Sequence, residues 1–111
     1  MTATPIKILV AEDSLTELAI LSDMLREERL EVHGFGDGRT ALDITRMMHP
    51  DVIILDIDLP RLNGWEVLQR LRDDKKVGAT PVIVMTGDTR ATTAQKSLEH
   101  GANEFLKILD S

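Results

Sequence analysis

Five short apolar runs, the first four each followed by a turn and a stretch of helical period, constrain this chain more than any other feature. Ile6–Ala11 (I-K-I-L-V-A) opens the series, short and rich in β-branched residues, as a buried strand is. Ser14 then caps a helix to about Glu28, with Glu17 three residues on completing a capping box. Glu31–Phe35 reads as a second strand, Gly36-Asp37-Gly38 as a turn, and a helix follows to about Met48. His49-Pro50-Asp51 stops that helix, because proline disfavours the α conformation in the residue before it. Val52–Leu55 is the most hydrophobic strand and ends on Asp56. Leu59–Gly64 is a loop by its Pro and Gly, and a helix covers about Trp65–Asp73. Val82–Met85 is the fourth strand, and Thr86-Gly87-Asp88 turns out of it. A helix over about Thr89–His100, thin in apolar anchors and closed by Gly101, leads to the last strand, Glu104–Leu109.

This order, (βα)₄β, predicts a five-stranded parallel sheet with helices on both faces, a doubly wound α/β fold. Residues 1–111 are one domain's worth, and 42% hydrophobic residues suffice for a single core. The absence of cysteine excludes a disulfide scaffold, a thiolate nucleophile and a sulfur-bound zinc site. Thirteen Lys and Arg against nineteen Asp and Glu leave a net charge of −6, a poor footprint for binding nucleic acid or an anionic membrane surface. No apolar run approaches the roughly 20 residues that span a bilayer, and the N-terminus has no signal-peptide pattern. The expected address is the cytoplasm.

In a doubly wound sheet the working groups gather at the carboxyl ends of the strands, near the point where strand order reverses. Those ends carry Glu12 and Asp13 after the first strand, Asp56 and Asp58 after the third, and Thr86 after the fourth, with Lys107 near the end of the fifth. Carboxylates converging from neighbouring strands repel one another unless a cation compensates. A hard divalent ion such as Mg²⁺ suits oxygen ligands of this kind. A metal beside a carboxylate, a hydroxyl and an ammonium is what phosphoryl transfer to an aspartate needs.

The constellation resembles the receiver domain of two-component response regulators, a chemotaxis-regulator-like, flavodoxin-like fold, over essentially the whole chain. The resemblance is carried by Glu12-Asp13-Ser14, V-I-I-L-D ending at Asp56, Leu59-Pro60 with Asn63-Gly64, V-I-V-M-T ending at Thr86, and Gly101-Ala102-Asn103-Glu104-Phe105. It implies that Asp56 accepts phosphate from a sensor histidine kinase or phosphotransfer protein, with Glu12, Asp13 and Asp56 around Mg²⁺. Asp58 would lend the ion its backbone carbonyl, Thr86 would be the switch hydroxyl, and Phe105 the aromatic that reports phosphorylation.

Two features depart from that family. Its lysine lies three residues after the switch aromatic and is followed by proline, whereas Lys107 is two after Phe105 and Ile108 follows. Either a bulge or an earlier shift brings Lys107 into the site, or Ile108 occupies the lysine position and the ammonium is lost. The family also closes with a fifth helix beside the first, and here only Asp110-Ser111 follow the last strand. The chain is therefore expected to be a truncated receiver or to borrow cover from another molecule. The first helix, apolar most of the way round, would then expose some of Leu18, Ile20, Leu21, Met24 and Leu25 and form a homodimer.

Blander readings stand beside these. Asp13 and Ser14 could serve only as a helix cap, Thr86 only as a strand end, Lys107 as a solvated edge lysine and Phe105 as packing. His33, His49 and His100 share no ligand spacing. A receiver lacking phosphorylation and serving as an interaction module is the first rival function. A haloacid-dehalogenase-like phosphatase, suggested by Asp56-Ile57-Asp58, is the second, although that motif normally sits on a first strand. The main reading is a switch that catalyses little beyond its own modification, and so not an enzyme.

Overall fold

Strand order decides where this chain can put its chemistry. The strands β1 (Lys7–Ala11), β2 (Glu31–Phe35), β3 (Val52–Asp56), β4 (Val82–Thr86) and β5 (Glu104–Lys107) form one parallel sheet in the order β2-β1-β3-β4-β5. The chain starts in the sheet's interior, steps outward to β2, and returns across β1 to lay down β3, so the reversal falls between β1 and β3. The computed structural model describes residues 4–86, 96, 98–99 and 101–107, the side chains of Thr86 and of 104–107 excepted.

Alternating strand residues face opposite layers. Ile8, Val10, Val32, Ile54 and Met85 meet Leu18, Leu21 and Leu25 of α1 (Leu15–Glu27) on one face. Leu9, Ala11, Ile53, Leu55, Val82 and Val84 pack on the other against α2 (Gly38–Met48) and α3 (Gly64–Asp73), through Ala41, Leu42, Val67, Leu68 and Leu71. Burial on both faces explains why β1, β3 and β4 read as continuous apolar runs rather than as alternating ones.

Each described helix begins on a side-chain cap. Ser14 Oγ accepts the Glu17 N–H at 3.3 Å, Asp37 Oδ1 the Thr40 N–H at 2.8 Å, and Asn63 Oδ1 the Glu66 N–H at 3.0 Å. The expected capping box is half made, because the Ser14 N–H donates to Glu12 Oε1 rather than to Glu17. α2 stops at His49, which turns left-handed (φ 51°) just before Pro50. Gly101, with φ at +95°, donates its N–H to the Leu98 carbonyl at 3.0 Å, the turn expected of it.

The structure decides which of the apolar residues of α1 are exposed: Ile20 and Met24 are, and Leu18, Leu21 and Leu25 are not. Leu18, Leu21 and Leu25 form one stripe that packs on the sheet, and the side turned to water carries Leu15 (82% exposed), Ile20 (58%) and Met24 (60%). Hydrophobic period shows that a helix has more than one apolar stripe but cannot say which stripe the sheet takes. The helix expected over 89–100 falls largely outside the described residues, with only Lys96, Leu98 and Glu99 described, all helical. Residues 108–111, and with them the expectation of a missing final helix, also lie outside.

Candidate functional site

Parallel pairing sets Ala11 beside Leu55. The next residues along, Glu12 and Asp56, therefore emerge together at the carboxyl edge of the sheet. The Glu12 N–H donates to the Phe35 carbonyl at 2.9 Å, which carries the β1–β2 ladder up to the edge. Its side chain turns inward and is 1% exposed. Oε1 accepts the Ser14 N–H at 2.9 Å, while Oε2 is the one buried side-chain oxygen or nitrogen among the described residues with no hydrogen-bond partner.

Asp56 is half-buried, and its Oδ1 accepts the Asp58 N–H at 3.0 Å, which opens the loop after β3. Asp13 is exposed beside them. One carboxylate oxygen from each of Glu12, Asp13 and Asp56 lies within 4.8 Å of the others. Burial pushes the Glu12 carboxyl up to about 8, against the Ser14 N–H and with the help of the neighbouring Asp56 carboxylate. Asp56 is raised as well, by burial first, with the charges of Asp58 and Asp13 adding to it and the Asp58 N–H opposing it. Two carboxyls forced into contact hold a proton at neutral pH unless a cation takes its place. The partnerless Oε2 and the all-oxygen donor set fit a hard divalent ion such as Mg²⁺.

Gly64 completes the frame; the sequence marks it as the end of a loop and, with Asn63, as part of the family resemblance, but not as a residue of the site. Its N–H donates to the Ile57 carbonyl at 2.8 Å, and a Cβ there would stand 2.6 Å from both the Asp56 carbonyl oxygen and Ile57 Cα. Only glycine lets the start of α3 come so close to the Asp56 peptide. The available signal was Asn63-Gly64 directly before a helical stretch, with Asn63 as the cap.

The structure thus brings Glu12, Asp13 and Asp56 together and sets the Asp58 amide on Asp56. Thr86 stands one residue beyond Met85, the register partner of Asp56, and Lys107 is the partner of Thr86 across β4 and β5. Phe105 stands level with Val84. The side chains of Thr86, Phe105 and Lys107 lie outside the described residues, so the lysine question is posed by register alone.

A family model described as the response regulator receiver domain matches residues 8–107. The chain is 39% identical over 104 residues to the protein-glutamate methylesterase/protein-glutamine glutaminase of Desulfotalea psychrophila, covering 91% of this chain and 28% of that protein. It spans less than half the length of the curated bacterial relatives that it matches. The chemotaxis protein CheY4 of Vibrio cholerae superposes with a TM-score of 0.88 at 28% identity, over 97% of this chain and 90% of that one. The receiver domain of the sensor histidine kinase PA1611 of Pseudomonas aeruginosa PAO1, solved with a magnesium ion coordinated in its active-site cleft, gives a TM-score of 0.88 at 24% identity. That likeness covers 97% of this chain and 88% of that one, and it speaks for the fold alone.

The buried Glu12 generates a pH prediction. Its folded pKa of about 8 lies above its ordinary 4.5, so the folded state keeps a proton that the unfolded chain has already lost. In metal-free buffer, stability falls as pH rises from about 4.5 through about 8, on the order of a few kcal/mol in all. Glu12→Gln, neutral at every pH, flattens that window in urea denaturation. A wild-type profile as flat as the variant's between those limits would show that Glu12 ionises freely.

Proposed function

The chain belongs to the response regulator receiver domain family, and from that premise we propose that it is an aspartyl-phosphate switch with Asp56 as acceptor. The convergence of Glu12, Asp13 and Asp56 within 4.8 Å at the reversal of strand order carries this reading. A carboxylate oxygen of Asp56 attacks the phosphorus of a phosphohistidine. The P–O bond forms as the P–N bond breaks, and the imidazole leaves with a proton. Glu12, Asp13, Asp56 and the Asp58 carbonyl would hold Mg²⁺, whose bound charge offsets that of the transferring phosphoryl oxygens.

The Asp58 N–H on Asp56 Oδ1 orients the nucleophile. The Thr86 hydroxyl donates to the phosphoryl group, Lys107 supplies an ammonium from the end of β5, and Phe105 follows Thr86 as the switch turns. The donor is a sensor histidine kinase or phosphotransfer protein, and the proposed address is the cytoplasm. Among the described residues no helix is long and apolar enough to cross a membrane. Residues 1–111 act as one receiver domain that modifies itself rather than turning over a separate substrate. A second copy of the chain is the proposed cover for Leu15, Ile20 and Met24 on the open side of α1.

Incubation with acetyl phosphate and Mg²⁺ adds one phosphate, read by intact-mass spectrometry, and Asp56→Asn abolishes it. Full phosphorylation of that variant would move the acceptor elsewhere. A wild type that takes no phosphate yet still binds its partner would favour the phosphorylation-independent module. Sedimentation shows a dimer for the wild type and a folded monomer for Ile20→Glu/Met24→Glu. A wild type that stays monomeric at high concentration would remove the second copy from the account.

A further inference from the structure

Arg72, in the last turn of α3, takes no part in the carboxylate cluster, yet its guanidinium gathers four acceptors from two stretches of chain. Nε donates to the Gly101 carbonyl at 2.8 Å, and Nη1 to the carbonyls of Gly78 at 3.0 Å and Thr80 at 2.6 Å. Nη2 donates to Asn103 Oδ1 at 2.9 Å. Among the described residues its partners are neutral oxygens rather than a carboxylate, arranged to suit a planar fork of donors. Gly101 makes room at φ +95°, where a Cβ would stand 3.1 Å from Arg72 Cγ.

The oxygen that Arg72 grips on Asn103 also accepts the Val82 N–H at 2.8 Å, and the Asn103 N–H donates to the Val82 carbonyl at 2.9 Å. Asn103 and Val82 are thereby joined by two hydrogen bonds one step before Ile83↔Glu104, the first register pair of β4 and β5. The pairs then run without a bulge to Thr86↔Lys107. Among the described residues β5 is the sheet's edge, with β4 as its one neighbour, and no described strand on its other side fixes its register. Where Asn103 is pinned, Lys107 follows.

We propose that Arg72 is a positioning residue: by holding Asn103 against Val82 it sets the register of β5 and so brings Lys107 level with Thr86 at the carboxyl edge. The register claim stands on hydrogen bonds alone, and its consequence for the site rests on the phosphoacceptor reading above.

Amide hydrogen exchange tests the register claim with no phosphoryl donor present. In Arg72→Gln the Val82 and Asn103 amides exchange about tenfold faster or more, while those of Leu9, Val10 and Ile54 are unchanged. Arg72→Lys restores little, since an ammonium cannot fork across the same acceptors. Asn103→Ala gives the same local signature and serves if Arg72→Gln does not fold. Unchanged exchange, or equal acceleration throughout the sheet, would overturn the claim by making Arg72 inert or a general stabiliser. The acetyl-phosphate reaction then tests the consequence: Arg72→Gln slows it in the wild-type background and not in Lys107→Ala. Equal slowing in both backgrounds would overturn the link to Lys107. A wild type that takes no phosphate would remove the acceptor reading, and the exchange result would still decide the register.

Discussion

Two carboxyl side chains are forced into contact because β1 and β3 are neighbours in a parallel sheet, and the rest of the site answers that constraint. Ala11 and Leu55 stand in register, so Glu12 and Asp56 leave the sheet at the same height. Moving either away would require breaking the ladder between β1 and β3. The molecule instead meets each carboxyl with a backbone N–H, from Ser14 for Glu12 and from Asp58 for Asp56. One buried oxygen is still left over on Glu12. A carboxylate buried without a full set of partners is costly, so the metal-free site holds a proton, and on the proposed reading a divalent cation would take its place.

Local structure around the pair is built to keep it there. The loop after β3 returns at once to α3, and the hydrogen bond from Gly64 to Ile57 closes it. Asn63 caps α3 one residue before Gly64, which lies against the Asp56 peptide. At the opposite end of the sheet, Arg72 and Asn103 hold the edge strand whose far end carries Lys107. The carboxyl edge is therefore fixed from two directions, by the loops that cross it and by the register of the strands that reach it. Lys96 over the Trp65 ring, 4.9 Å from its centroid, adds a contact between the start of α3 and the stretch that leads to β5.

Much of this was legible from residues alone, and the reason differs from element to element. V-I-I-L-D and V-I-V-M-T announce buried strands because parallel sheets bury both faces, and alternation with helices makes the sheet parallel, while its strand order is implied only by the family resemblance. Given that order, Glu12, Asp13 and Asp56 have to meet, so the acidic cluster was readable without coordinates. The outward side of α1 was not, since three apolar stripes compete and only the sheet chooses among them. The partner of the Ser14 N–H was missed because a capping box is a local rule, and the buried Glu12 overrides it from two residues upstream. Arg72 was invisible for a related reason. Its acceptors lie up to 31 residues away and are mostly carbonyls, which carry no sequence signature.

The central claim is that the carboxyls of Glu12, Asp13 and Asp56 form one cation seat. Substoichiometric Mn²⁺, a hard divalent ion with the same preference for oxygen ligands, tests it through paramagnetic broadening of backbone amide signals. The account predicts that the amides of residues 12–14 and 56–58 broaden first, that excess Mg²⁺ restores them, and that Asp13→Asn weakens the effect. Broadening that begins instead at other acidic stretches, such as Glu27-Glu28 or Asp73-Asp74, or that spreads evenly over the acidic surface, would contradict it.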